Sequence, residues 1–228
     1  MSARRRDNFI EGFNYYVPAM QAGADLGQLL GPYKVNLGAV VLADADGILD
    51  GADNATVGDI TTLNVLYDSD KMGPFGRNVT VLASGAATST VIVIGRDYLG
   101  QPMRETLTLN GTNSVTGLKA FKYVDKVNIP VGTAATTIDL GWGTRMGLPY
   151  KTRAVYREYE DGAIAAAGTL TAPVVTDPAT ATTGDPRGTY ILTGTPNGTK
   201  VFEIDVQLDN NVNDDNNGGL HGIRHYAG

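Results

Sequence analysis

VIVIGRDYLGQPMRETLTLNGTNSVTGLKAFKYVDKV, residues 91–127, is the stretch whose reading decides the fold. Its first four residues, Val91 to Ile94, are β-branched, the side chains that pack best on a pleated surface, and they read as a fully buried strand. Gly95 to Pro102 supplies a turn. Glu105-Thr106-Leu107-Thr108-Leu109 then alternates with the period of two that a half-buried strand requires. Asn110-Gly111 follows, and both residue types tolerate positive φ, so the pair predicts a type I′ hairpin turn. Val115 to Val127 climbs again. The expectation is a β-meander whose chemistry is structural.

Outward from this stretch the same pattern recurs. Tyr33 to Leu42 predicts a first strand and Val57 to Tyr67 another, the latter closed by a turn at Asp68–Pro74. Val79–Leu82 and Thr88–Ile94 predict a pair joined across Ser84-Gly85-Ala86, and Thr136–Leu140 a further strand. Tyr190–Thr193 and Val201–Leu208 flank Asn197-Gly198 and predict a second hairpin. Within the latter, Phe202, Ile204, Val206 and Leu208 share one face. Thr176–Gly188 reads as a linker or long loop. Strands at this spacing predict an all-β fold, an antiparallel β-sandwich or jelly-roll-like body. The division expected is an N-terminal arm over 1–33, the β-sandwich body over 34–150, and a β-rich extension over 151–228 that completes or flanks the body.

Composition bounds the function. The 228 residues suffice for one large β domain, and with no cysteine there is no disulfide framework, thiol chemistry or cysteine zinc site. Glycine (29) and proline (10) are plentiful and charged residues make up 18%, which suits short strands and tight turns. A net charge of −6 argues against nucleic-acid binding, because phosphate neutralisation needs clustered Lys and Arg. Arg4-Arg5-Arg6 is the local exception. Asp7 and Glu11 follow it where a signal peptide would carry an apolar run, and no segment approaches the ~18 apolar residues of a membrane helix. A soluble product made in the cytoplasm is expected, with no membrane partner.

Residues 1–33 carry Phe9, Phe13, Tyr15, Tyr16 and Met20 among Gly12, Asn14 and Pro18. So short a segment cannot bury these rings on itself. Either they pack on their own sheet or they form an arm laid on a neighbouring subunit, with Arg4, Arg5 and Arg6 at its tip. Fully extended, such an arm reaches about 100 Å.

The search for reactive constellations yields little. Asp44-Ala45-Asp46 through Asn54 resembles a calcium loop, but with Asp44 at position 1 the required Gly at position 6 is Leu49. A solvated acidic loop is the reading. Gly141-Trp142-Gly143-Thr144-Arg145-Met146-Gly147 departs from the dinucleotide pattern and lacks a following helix. His221 and His225, the only histidines, lack the Glu of a zincin helix, and Gly222 lies between them. Terminal packing or the surface is expected for both. Asp44/Asp46 and Asp214/Asp215 do not single out a glycosidase pair. Four Asn-x-Thr triplets begin at Asn54, Asn78, Asn110 and Asn197 and read better as turn chemistry than as glycosylation sites. Trp142 and several tyrosines could line a glycan groove, although core or interface roles suit them better.

GRDYLGQPMRETLTLNGTNSVTGLKAFKYVDKV (residues 95–127), TTIDLGWGTRMGLPYKT (136–152), DPRGTYILTGTPNGTKVFEIDVQL (185–208) and GLHGIRHYAG (219–228) together resemble small virion structural proteins of tailed bacteriophages, the capsid auxiliary, cement or decoration proteins. The likeness spans roughly residues 80–228 and rests on turns and strand edges. It implies a non-enzymatic virion protein without cofactor, made in the host cytoplasm. Such a protein forms a homo-dimer or homo-trimer and ties neighbouring major capsid subunits together through its arms. A head-fibre, collar or tail component, and a carbohydrate-binding host-attachment module, are the alternatives.

Overall fold

A computed structural model describes residues 32–53, 58–64, 67–129, 136–209 and 219–228. The chain is all-β and its sheets are antiparallel. In chain order the strands are β1 (Tyr33–Ala39), β2 (Asp44–Asp53), β3 (Gly58–Ile60), β4 (Arg77–Ala83), β5 (Thr90–Arg96), β6 (Pro102–Thr108), β7 (Val115–Thr116), β8 (Tyr123–Ile129), β9 (Thr137–Gly147), β10 (Thr152–Glu160), β11 (Ala163–Ala165), β12 (Thr169–Thr171), β13 (Thr189–Ile191) and β14 (Val201–Leu208). Short 3-10 turns occupy Ser69–Met72 and Gly219–His221.

Strand β9 is the spine. Along one edge it pairs with β4, from Arg77↔Met146 to Ala83↔Ile138. Along the other, β2 covers its first half and β13 covers Arg145–Gly147. The first half therefore packs into one core and the second half into another. In the first core, Val79, Val81, Ile138, Leu140 and Trp142 face Val91, Val93, Met103, Leu107, Val124 and Val127 from the sheet ordered β3-β8-β5-β6. In the second, Met146, Leu148 and Tyr190 meet Val35, Leu37, Phe202, Ile204 and Val206 from the sheet ordered β1-β14-β10-β11. Burying one such Val, Leu or Ile fully stabilises by about 1.5–3 kcal/mol before chain entropy is subtracted, so both cores contribute heavily.

The period-two reading of Val201–Leu208 holds: Phe202, Ile204, Val206 and Leu208 are the buried positions of β14. Several local expectations do not. Val91–Ile94 is not buried on both faces; Val91 and Val93 point inward while Ile92 and Ile94 are half-buried. Asn110-Gly111 does not close a hairpin between paired strands. Gly111 has φ +59 and Asn110 keeps negative φ, and the chain crosses there from β6 to β7, which pairs with β4 in the other sheet. The meander is thereby broken, since β8 returns to pair with β5. The expected pair across Ser84–Ala86 also separates, with β4 on β9 and β5 on β6 and β8. Asn197-Gly198 likewise joins different sheets: β13 lies on β9 and β12, and β14 on β1 and β10.

The acidic stretch is a strand, not a loop. β2 runs through it with two register irregularities, burying Gly47, Ile48 and Leu49 while Asp46, Asp50 and Asp53 stay exposed. Glycine makes the fit possible, because a Cβ on Gly47 would strike the Trp142 ring and one on Gly141 the Asp44 carbonyl. Of the strand expected over Val57–Tyr67, only Gly58–Ile60 forms within the described residues. Thr176–Gly188 is irregular but packed, with Ala179, Asp185 and Arg187 buried.

Candidate functional site

The turn between β5 and β6 forms one wall of an aromatic groove. Asp97 is fully buried, and its Oδ1 accepts hydrogen bonds from the Leu99 and Gln101 amides at 2.9 and 2.8 Å. This Asx-type closure leaves Tyr98 and Leu99 standing outward. Tyr98 donates its hydroxyl hydrogen to the Pro149 carbonyl and meets Phe75 edge-on, ring centroids 5.4 Å apart. Across from them Tyr33 meets Tyr150 edge-on at 5.4 Å, and the His221 ring stands 5.5 Å from Tyr150. These rings, with Val35, Leu99 and Pro149, line a groove of about 450 Å³. Edge-to-face pairs of this kind add about 0.5–1.5 kcal/mol each beyond their buried area.

The groove lies against a sheet edge that no other described strand pairs with. β1 is the outermost strand of β1-β14-β10-β11, and Tyr33–Asn36 contribute to the lining. Lys34, the one charged lining residue among those described, directs its ammonium over the Tyr159 ring, 3.7 Å from the centroid, and toward Glu203 at 3.5 Å. Burial raises the Tyr98 pKa, and the neighbouring Tyr33 hydroxyl raises that of Tyr150, so both phenols stay protonated and neutral. The surface is therefore dominated by aromatic rings, its one lysine engaged with Tyr159 and Glu203, and it is edged by a strand that has no outer partner among the described residues. It can hold an apolar or aromatic side chain.

Behind Tyr98 lies a buried charge network. The Arg187 guanidinium lies 5.0 Å from the Tyr98 ring centroid, and its Nη1 pairs with Asp97 Oδ2 at 2.9 Å. Asp185 accepts from the amides of Ala120 at 3.0 Å and Arg187 at 2.9 Å. Lys119 donates toward the Gly184 carbonyl at 3.4 Å. Glu105, from an inward position of β6, accepts from the Leu118 amide at 2.5 Å and the Lys119 amide at 3.3 Å. Its second oxygen has no hydrogen-bond partner, and burial pushes its pKa up to about 7. Burial likewise lowers the pKa of Lys119.

His225 closes the network. Its Nε2 lies 3.2 Å from Arg187 Nη2. The guanidinium only donates, so in the neutral imidazole Nε2 accepts from it, while Asp97 Oδ2 stands 3.6 Å from the same nitrogen. Burial lowers the pKa in the same sense. The network thus joins the β5–β6 turn, the 172–188 segment and the C-terminal tail behind the groove's wall.

Arg4, Arg5, Arg6, Phe9, Phe13, Tyr15, Tyr16 and Met20 lie outside the described residues, as do Asn54, Asp214 and Asp215. Trp142 is a core residue, 5% exposed, its Nε1 donating to the Leu42 carbonyl at 2.8 Å. Its edge reaches a second hollow of about 400 Å³ with Val41, Leu42, Ala43, Asp44 and Lys71. The two histidines part company: His221 reaches the groove and His225 the buried network. Asn78 is wholly buried, accepting from the Arg145 amide at 2.8 Å, so no glycan can be attached there. Asn110 and Asn197 sit at turns, and Asn197 Oδ1 accepts from the amides of Thr199 and Lys200. Among the described residues no group of three His, Asp or Glu side chains is placed to hold a metal ion, and no helix is long and apolar enough to cross a membrane.

Sequence reading found none of the groove residues as a set. Tyr33, Phe75, Tyr98, Tyr150 and His221 are scattered over most of the chain and carry no shared spacing. No protein-family model, curated protein or solved structure matches the chain.

Proposed function

We propose that this protein is a non-enzymatic virion structural protein that binds a phage capsid surface and cements neighbouring major capsid subunits. The observation that supports it is the groove: an aromatic surface beside a strand edge that is unpaired among the described residues, the two features by which one polypeptide captures another. Tyr98 rests on the buried Arg187–Asp97 pair and donates to the Pro149 carbonyl, so this wall of the groove is held in place before any partner arrives. Residues 1–33 supply the arm, and Arg4–Arg6 give it a basic tip for an acidic neighbour.

Co-sedimentation with expanded heads tests the reading. The full-length protein is expected to pellet with heads, and removal of residues 1–20 to abolish this while the far-ultraviolet dichroism of the body is retained. Absence of binding by the full-length protein would remove the proposal. A truncated protein that still decorates heads would remove the arm from it.

A carbohydrate-binding module is the second reading, and the tyrosines of the groove favour it, since aromatic faces also stack on sugar rings. Binding of the isolated protein to defined glycans, lost in Tyr98→Ala, is its signature.

A further inference from the structure

The groove begins where the N-terminal segment ends. Tyr33, the first residue of β1, is both a wall of the groove and the point from which residues 1–32 depart. We propose that the groove is the docking site of the chain's own Phe13–Pro18 segment (Phe-Asn-Tyr-Tyr-Val-Pro) in the free protein. This rests on reading residues 1–33 as an aromatic arm, but not on the identity of the arm's eventual partner.

Three observations carry the assignment. The first is chemical complementarity. Phe75, Tyr98, Tyr150 and Tyr33 present ring faces and edges, and Phe13, Tyr15 and Tyr16 offer further rings to meet them. Lys34 is engaged with Tyr159 and Glu203, so the groove holds no charge directed at a ligand. An apolar peptide suits it better than a sugar or an ion.

The second is the strand edge. Every other backbone N–H and C=O of β1 faces away from β14, and no strand pairs with that outer edge among the described residues. An extended, aromatic and β-branched segment laid there would complete the ladder and cover an edge that otherwise invites aggregation. Pro18 then fits as the end of the added strand, because it donates no hydrogen bond.

The third is tether length. About 15 residues separate Pro18 from Tyr33, ample covalent reach for the segment to return to a groove that Tyr33 itself lines. Covalent linkage sets the effective concentration of the segment at its own groove on the order of millimolar, well above that of a second copy in dilute solution. Docking in the same chain wins by concentration alone. On assembly the arm must leave this groove to reach a neighbour, so its release and its capture become one exchange.

The chain contains no cysteine, so an introduced pair gives an unambiguous report. Tyr16→Cys is combined with Leu99→Cys on the groove's exposed lip, and separately with Ile164→Cys on the far edge strand β11, where the side chain is 68% exposed. In the full-length protein at low concentration under mild oxidation, the lip pair is expected to form an intrachain disulfide about tenfold faster than the far pair. Asn14→Cys in place of Tyr16→Cys guards against loss of a docking ring. In the cysteine-free protein, Leu99→Arg is expected to accelerate chymotryptic cleavage at Phe13–Tyr16. Equal rates for the two pairs, or no disulfide at the lip, would overturn the proposal. Disulfides formed only between chains would overturn it in favour of a second copy as occupant. Heads play no part in this experiment: a protein that forms the intrachain disulfide yet never binds heads keeps the docking site and loses the capsid function.

Discussion

Glu105 shows how far a sequence period reaches and where it stops. The alternation over residues 105–109 places Glu105 on the same face as Leu107 and Leu109, and all three are buried. What the period does not contain is the compensation, the amides of Leu118 and Lys119 arriving from the β7–β8 connection. Because its pKa is raised from 4.5 to about 7, the folded state favours the protonated acid. The stability this gives is fully present below the unfolded value and is lost as pH rises through 7, at most about 3 kcal/mol. Glu105→Gln mimics the protonated acid. Urea denaturation at pH 6 and pH 9 is expected to show wild type losing stability between the two while the variant holds level; parallel losses would contradict the assignment. His225 has the opposite sign. Its lowered pKa means that its contribution is present above the ordinary imidazole value and is lost as pH falls below it. Acid places a second cation beside Arg187, so hydrogen exchange over residues 219–228 is expected to quicken at pH 5 relative to pH 7.5. In His225→Phe that pH dependence should vanish.

At the scale of elements, strand existence was legible and strand partnership was not. β14, β1 and the β5–β6 hairpin follow from alternation and turn residues within each segment. Asn110-Gly111 and Asn197-Gly198 signal chain reversal correctly, but reversal into another sheet uses the same residues as reversal into a hairpin. Which occurs is decided by burial on distant strands. β2 escaped for a different reason: its carboxylates suggested solvent, whereas its pairing depends on Gly47 and Gly141 admitting the Trp142 ring and the Asp44 carbonyl. Gly141→Ala is expected to cost about 1–3 kcal/mol by overpacking. Hydrogen exchange should rise first in β2, residues 44–53, and least in β14. Uniform acceleration across both strands would indicate global destabilisation and contradict the local role of Gly141.

At the scale of the molecule, β9 ties together two cores that neither flanking sheet could form alone, and the groove opens where the β1-containing sheet meets the β5–β6 turn. The all-β class was legible from composition and turn spacing. The groove was not, because its rings come from distant segments of the chain, and the buried Asp97–Arg187–His225 network behind Tyr98 likewise joins three separate segments. On the proposed reading, the N-terminal end of β1 is the functional end of the protein. The arm belongs to it, and so does the capsid-binding role proposed above. The most direct test is a cryo-electron microscopic reconstruction of intact particles carrying this protein. The prediction is density matching the all-β body repeated in register with the capsid lattice, with the β1 end turned toward the major capsid subunits. A body found at a single vertex, in the tail, or absent from the particle would contradict the account.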